Sequence, residues 1–340
     1  MRQTIQIILT VTCFAPAMAI AGSDEQAAFF PNPTNIEIYR GHESTPLWVH
    51  SEDPIQMVAT RISNNPLVGL EVLGKAPSSF SIAGPDLQPL PFDSQEEVEE
   101  FLRTAEIVSQ KHIGEGINNP LKVLLEKDGV QMYAVFRDVH VQRTEMKLRD
   151  GSTKFFFRDE AIYECAAYEL SKLLGLTNIP PTVARKVGRK RGTLQAWIEG
   201  VTTEKAMRKN DQKPPTGGID RWRWMMQWQM IHFFDNLVYN EDRNRGNVLI
   251  EPDWKMWMID HTRAFRRWKE LQYPEKVQYL DRGVWEKLQA LDRSEVEEKL
   301  QDFLGPYELN GLLERTNLLV DHVKSLIAER GEGQVLFTIR

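Results

Sequence analysis

Residues 240–265 read NEDRNRGNVLIEPDWKMWMIDHTRAF, and this stretch limits the fold more than any other. Two short apolar runs, VLI at 248–250 and MWMI at 256–259, flank the turn-forming EPDWK, a pattern that closes into a β-hairpin across a Pro-Asp turn. An antiparallel hairpin brings the start of one strand and the end of its partner to the same edge. Asn247 and Asp260 are therefore expected to meet in space, with Asp242 in the loop just upstream. An amide oxygen beside a carboxylate suits a hard divalent cation that also holds phosphate oxygens, and a second carboxylate nearby can orient a hydroxyl nucleophile. An Asp followed five residues later by Asn is common by chance, so the elements around it decide its meaning.

Upstream, FDSQEEVEEFLRTAEIV predicts a short helix capped by Asp93 or Ser94, with Glu96 and Glu97 in the first turn and Val98, Phe101 and Leu102 on one side. Residues 105–139 are rich in strand formers and are broken by Gly114 with Gly116 and by Lys127-Asp128-Gly129, which predicts three antiparallel strands. FFFRDEAIYECAAYELSKLLGL, 155–176, carries Ile162, Ala166, Leu170, Leu173 and Leu174 at helical spacing and stops at Gly175, ahead of Pro180 and Pro181. Residues 182–200 predict a hairpin whose basic turn, Arg189 to Gly192, reads as a solvated tip. In IDRWRWMMQWQMIHFFDNLVYN the charges Arg221, Arg223 and Asp235 argue against a membrane span. Its Trp222, Trp224, Trp228, Phe233 and Phe234 are read as core packing of a central helix rather than as a sugar-stacking platform. After residue 276 the chain reads as helical to about Arg330.

The first residues, MRQTIQIILTVTCFAPAMAIAGSDEQ, place Arg2 before an apolar run from Ile5 to Met18 and small residues at Ala17, Ala19 and Ala21. This is the layout of a secretory signal peptide over 1–22, and the run is shorter than the roughly 20 residues of a span. The chain is thus expected to be secreted or periplasmic, with no transmembrane segment after cleavage. Loss of Cys13 would leave Cys165 alone, read as a buried structural thiol, so no disulfide framework is expected. Residues 23–92 hold half of the prolines and read as an extended, loop-rich arm, with LVGLEVLG at 67–74 as a short strand. A net charge of −6 provides no field to gather nucleic acid. The absence of HExxH and GxSxG argues against a zinc hydrolase and an α/β-hydrolase.

The order of these parts, a glycine loop between strands, a helical Glu, a hairpin leading to a hinge, then D-x4-N and a distal Asp, resembles the protein-kinase-like phosphotransferases. The likeness is to the atypical kinases related to the bacterial kinase HipA, to the phosphatidylinositol 3- and 4-kinases, and most of all to the secretory-pathway kinases of the Golgi casein kinase type. It runs from about residue 93 to about residue 335. FLRTAEIVSQKHIGEGINNPLKVLLEKDG looks like the family's first strands and nucleotide loop, which implies that Gly114 and Gly116 lie in that loop. YECAAYELSKLLGLTNIPPTV is similar to the family's E-x-A-A-x-x-L…P-P segment, implying that Glu164 partners the phosphate-binding basic residue or, as in some members, a metal. GTLQAWIEG resembles the strand entering the adenine hinge, so that the backbone from Trp197 to Glu199 receives the base. DRNRGN and MWMIDH imply Asp242 as the catalytic aspartate and Asn247 and Asp260 as metal ligands.

The resemblance implies an α+β, two-lobed protein-kinase-like fold, with a small β-rich N-lobe at 93–199, a larger helical C-lobe at 200–335 and a tail at 336–340. The implied cofactor is ATP with Mg²⁺ or Mn²⁺. One departure matters: AVFRDV places Arg137 where the family has lysine. Arginine is permanently charged and forked, and is not a conservative stand-in. Either Arg137 clamps the α- and β-phosphates, or Lys122 on the preceding strand reaches in, or the chain binds nucleotide without transferring phosphate. His261, next to Asp260, reads equally as a site residue or as a hydrogen-bonded loop histidine. The expectation is an exported kinase acting on a hydroxyl, protein Ser/Thr ahead of glycan or lipid. The alternatives are an inactive kinase-fold binding or scaffold protein and an AMP-transferring enzyme.

Overall fold

The computed structural model describes residues 82–114, 120–147 and 151–338 in full, and 38–40 and 43–47 by backbone alone. The expected signal peptide, the strand at 67–74 and Gly116 lie outside the described residues. The chain divides into two units, Met1–Lys75 and Ala76–Arg340. Within the first, β1 (Ile38–Arg40) and β2 (Glu43–Leu47) pair antiparallel inside the segment read as an extended arm.

The second unit opens on α1 (Gln95–Thr104), where the Ser94 hydroxyl accepts from Glu97 N at 3.2 Å and the Glu97 carboxylate accepts from Asp93 N at 2.7 Å. This reciprocal cap settles the start of the helix on Ser94. The predicted strands follow as β3 (Glu106–His112), β4 (Leu121–Lys127) and β5 (Val130–Arg137). With β8 (Thr182–Val187) and β9 (Lys190–Ala196) they form an antiparallel sheet of order β3-β4-β5-β9-β8. Strand alternation sends Val123, Leu125, Met132, Ala134, Phe136 and Leu194 into a core shared with Val98, Phe101 and Leu102 of α1. The opposite face carries Lys122, Val135, Arg137, Thr193 and Gln195, in register with one another. Packing of α1 on one face thus leaves the cationic and polar residues to the other.

Two local readings are corrected. Phe155–Glu160 are not helical: they belong to β7 (Thr153–Glu160), paired with β6 (His140–Lys147), and α2 spans Tyr163–Leu174. Aromatic residues favour strands, and the apolar helical spacing begins only at Ile162. The β8–β9 turn is Gly188-Arg189, with Gly188 at φ +59°, and Lys190, Arg191 and Gly192 lie within β9. The left-handed glycine makes the tight turn. Gly192 is needed for another reason: a Cβ there would run into the Arg137 carbonyl oxygen.

Beyond β9 come β10 (Thr202–Thr203), α3 (Glu204–Lys209), α4 (Gly218–Val238), β11 (Val248–Ile250) and β12 (Met256–Met258). They are followed by β13 (Leu280–Asp281), α5 (Arg282–Ala290), α6 (Arg293–Leu300), α7 (Pro306–Arg330), α8 (Glu332–Val335) and β14 (Leu336–Phe337). A second core gathers Leu170 and Leu174 of α2, Trp224, Phe233 and Phe234 of α4, Met256 and Met258 of β12, and Leu312 and Leu319 of α7. The α4 aromatics are packing residues, as their spacing predicts. The architecture is α+β. No helix among the described residues is long and apolar enough to cross a membrane.

Gly192→Ala should force β5 and β9 apart and destabilise the chain by about 3 kcal/mol, the upper range for overpacking, read as a lowered urea midpoint.

Candidate functional site

The hairpin forms as its sequence predicts, with Val248 opposite Met258 and Ile250 opposite Met256, although β12 stops one residue short of Ile259. Ile259 N donates to the Asn247 carbonyl at 3.2 Å, which closes the mouth and brings Asn247 and Asp260 to one edge. Asn247 Nδ2 donates to the Asp242 carbonyl at 2.9 Å, so the Asn side chain ties the upstream loop to the mouth and keeps its oxygen as an acceptor. Asp260 has φ +62°, a left-handed conformation that costs a non-glycine residue free energy and is common where a side chain must be aimed. Thr262 Oγ1 donates to its Oδ1 at 3.2 Å.

Arg243 holds this mouth together. Its Nη1 donates to the carbonyls of Asn247 at 2.8 Å and Ile259 at 2.7 Å, while Nε lies 3.1 Å and 3.0 Å from the two oxygens of Asp235 on α4. Nη2 donates to His261 Nε2 at 2.9 Å. A nitrogen that accepts from a guanidinium carries no proton, so the ring proton is assigned to Nδ1, which faces Glu164 Oε2 at 3.4 Å. His261 is therefore a buried bridge between the mouth and α2.

Glu164 is fully buried in the first turn of α2, and Arg137 Nε at the end of β5 lies 3.6 Å from its Oε1. Burial alone would raise the Glu164 pKa, but the Arg137 charge and the His261 hydrogen bond outweigh it and hold the carboxyl down at about 2. Arg137 Nη1 also donates to Gln195 Oε1 at 3.4 Å. Lys122 goes elsewhere: its Nζ lies 3.9 Å from the ring centroids of both Tyr133 and Trp197 and 3.2 Å from Glu199 Oε1. Burial lowers its pKa in spite of Glu199. The two candidate phosphate cations are thus separated in role by geometry, with Arg137 on the helical Glu and Lys122 in an aromatic cage.

Asp242 is paired with Arg263 Nη1 at 3.0 Å, and Arg263 Nε donates to Asp159 at 2.9 Å. Burial raises the Asp242 pKa; Arg263 opposes the shift, while Asp260 and Asp159 add to it. Gly114 sits just past β3 at φ +75°, where the chain turns. Cys165 is buried, and burial raises its thiol pKa, as a structural cysteine requires. Among the described residues no three His, Cys, Asp or Glu side chains gather as a metal cage.

Sequence reasoning missed Arg243, Arg263, Asp159 and Gln195. The available signal was that Arg243 and Arg263 each stand within three residues of an acidic candidate. No protein-family model matches the chain, and no curated protein matches it.

Glu164→Gln should cost about 3 kcal/mol at neutral pH, because a buried Arg137 loses its counter-charge. A carboxyl whose folded pKa is depressed stabilises the fold above its ordinary value of 4.5 and stops doing so as pH falls toward about 2. The variant should accordingly show a shallower loss of stability than the parent between those values in acid-side urea titrations.

Proposed function

We propose that the chain is an exported, ATP-dependent phosphotransferase with a two-lobed protein-kinase-like fold of the atypical kind. It transfers a phosphoryl group to a hydroxyl acceptor, with a protein Ser/Thr side chain ahead of a glycan or lipid. The observation that carries this proposal is the contact run Arg137, Glu164, His261, Arg243, which ties the cation of the sheet face to the mouth where Asn247, Asp260 and Asp242 converge. The motif likeness of residues 93–335 supports it independently.

In this reading Arg137 takes the place of the family's lysine and forks onto the α- and β-phosphates. The loop at Gly114 lies against the phosphates, and the backbone from Trp197 to Glu199 receives the base. Asn247 and Asp260, an amide oxygen and a carboxylate, fit a hard cation that shares its coordination with phosphate oxygens. Asn247 and Asp260 would hold Mg²⁺ or Mn²⁺, which when bound would supply charge neutralisation. Asp242 orients the acceptor hydroxyl and takes its proton. Arg263 must then give up part of its hold on Asp242 as the acceptor arrives.

A second reading, nucleotide binding without transfer, is favoured by two contacts: Arg263 already occupies Asp242, and Lys122 already stands against Trp197. Thermal shift with ATP and Mg²⁺ or Mn²⁺ addresses both readings. We expect a metal-dependent rise in Tm that disappears in Asp260→Ala and in Arg137→Gln but survives in Lys122→Ala. No shift at about 10 mM ATP, roughly 100 times a 0.1 mM Kd at which linkage predicts a clear rise, would remove both readings. Binding without labelled product would leave the second, and a product heavier by about 329 rather than about 80 Da would indicate AMP transfer.

A further inference from the structure

Tyr133, Val135 and Arg137 of β5 point to one face of the sheet by strand alternation. Lys122 of β4 pairs with Val135 and extends over that face to stand against two rings. Its ammonium lies 3.9 Å from the ring centroid of Tyr133 and 3.9 Å from that of Trp197, with Glu199 Oε1 at 3.2 Å. Trp197 N donates to the Tyr133 carbonyl at 3.0 Å, so the backbone fixes these two residues against each other. The side chains of Lys122 and Glu199 keep 14% and 16% of their exposure, so the cage opens to water and is not sealed in a core.

A ring face covered by an ammonium at this distance is closed to a planar group. Tyr133 and Trp197 therefore have an occupant that belongs to the chain itself. The other class of group that aromatic faces hold is a nucleobase, by stacking. The position agrees with one: the backbone from Trp197 to Glu199 is the segment assigned to the base. Arg137, assigned to the phosphates, stands four residues along β5 from Tyr133, roughly 13 Å at the rise of a strand. The ribose and α-phosphate of an extended nucleotide bridge such a length. A lysine head on its flexible stem returns readily to water, whereas a base gains by leaving it.

We propose that Tyr133 and Trp197 are the stacking pair for the nucleotide base and that Lys122 is its internal competitor, which swings out from the rings before the base enters. This rests on the base placement of the phosphotransferase reading, though not on transfer itself. Lys122 then works against nucleotide affinity, the opposite sign from a phosphate ligand, and Glu199 is the anion that keeps it in the cage.

Calorimetric titration of the parent chain, Lys122→Ala and Glu199→Gln with Mg-ATP, Mg-tripolyphosphate and adenosine tests this. We expect Lys122→Ala to bind Mg-ATP and adenosine about tenfold more tightly, the scale of a cation–π contact that no longer has to be broken, with tripolyphosphate unchanged. Glu199→Gln should move affinity in the same direction and carries the test if Lys122→Ala does not fold. Adding Trp197→Leu to Lys122→Ala should erase the gain. Unchanged or weaker Mg-ATP binding in Lys122→Ala overturns the competitor role and leaves the phosphotransferase reading standing. An equal gain for tripolyphosphate overturns the stacking role. Tighter adenosine binding in Lys122→Ala, with Mg-ATP affinity indifferent to Asp260→Ala and Arg137→Gln, keeps the stacking pair and removes the phosphotransferase reading. No binding of any probe to the parent or either variant overturns both.

Discussion

A carboxylate fully removed from water, Glu164, is the constraint on which the rest of the structure turns. Burying a charge is tolerable only when partners surround it, and losing one partner leaves an uncompensated ion. Glu164 takes Arg137 from the sheet on one side and His261 from the loop after the hairpin on the other. Three elements distant in sequence are thereby held in one relation. The end of β5, the first turn of α2 and the segment after β12 cannot move independently without exposing that charge.

The surrounding architecture serves the same arrangement. α1 covers one face of the five-stranded sheet, so that Arg137 and Gln195 look away from it and toward α2. α1 and α2 are also joined through Glu99, whose carboxylate accepts from Tyr168 at 2.9 Å, Lys172 at 2.7 Å and Arg103 at 2.6 Å. On the other side, Asp235 of α4 anchors Arg243, which grips both strands of the hairpin at their mouth. Arginine at both Arg137 and Arg243 is consistent with its planar fork, which satisfies several acceptors at once where lysine offers a point charge. Lys122 is correspondingly used as a point charge between two rings.

Much of this was legible in one dimension. Ser94 and Glu97 mark the start of α1, Gly175 ends α2, and the runs 248–250 and 256–259 predict their own pairing, because caps and hairpins depend on neighbours a few residues apart. The readings that failed did so where two local preferences compete. Phe155–Phe157 adjoin a helical pattern yet pair with β6, and Gly192 looked like a turn glycine although its need is close approach to Arg137.

What the sequence determined by itself is the set of elements and the convergence of Asn247 and Asp260, since a hairpin of known register places its own ends. The identity of a cation's partner was decided only by tertiary structure. Arg137 reaches Glu164, Lys122 reaches Glu199 and Arg263 reaches Asp242 and Asp159 across separations that no local periodicity encodes. Such pairings depend on which sheet face α1 covers and how far α2 approaches, and those are outcomes of packing the two cores.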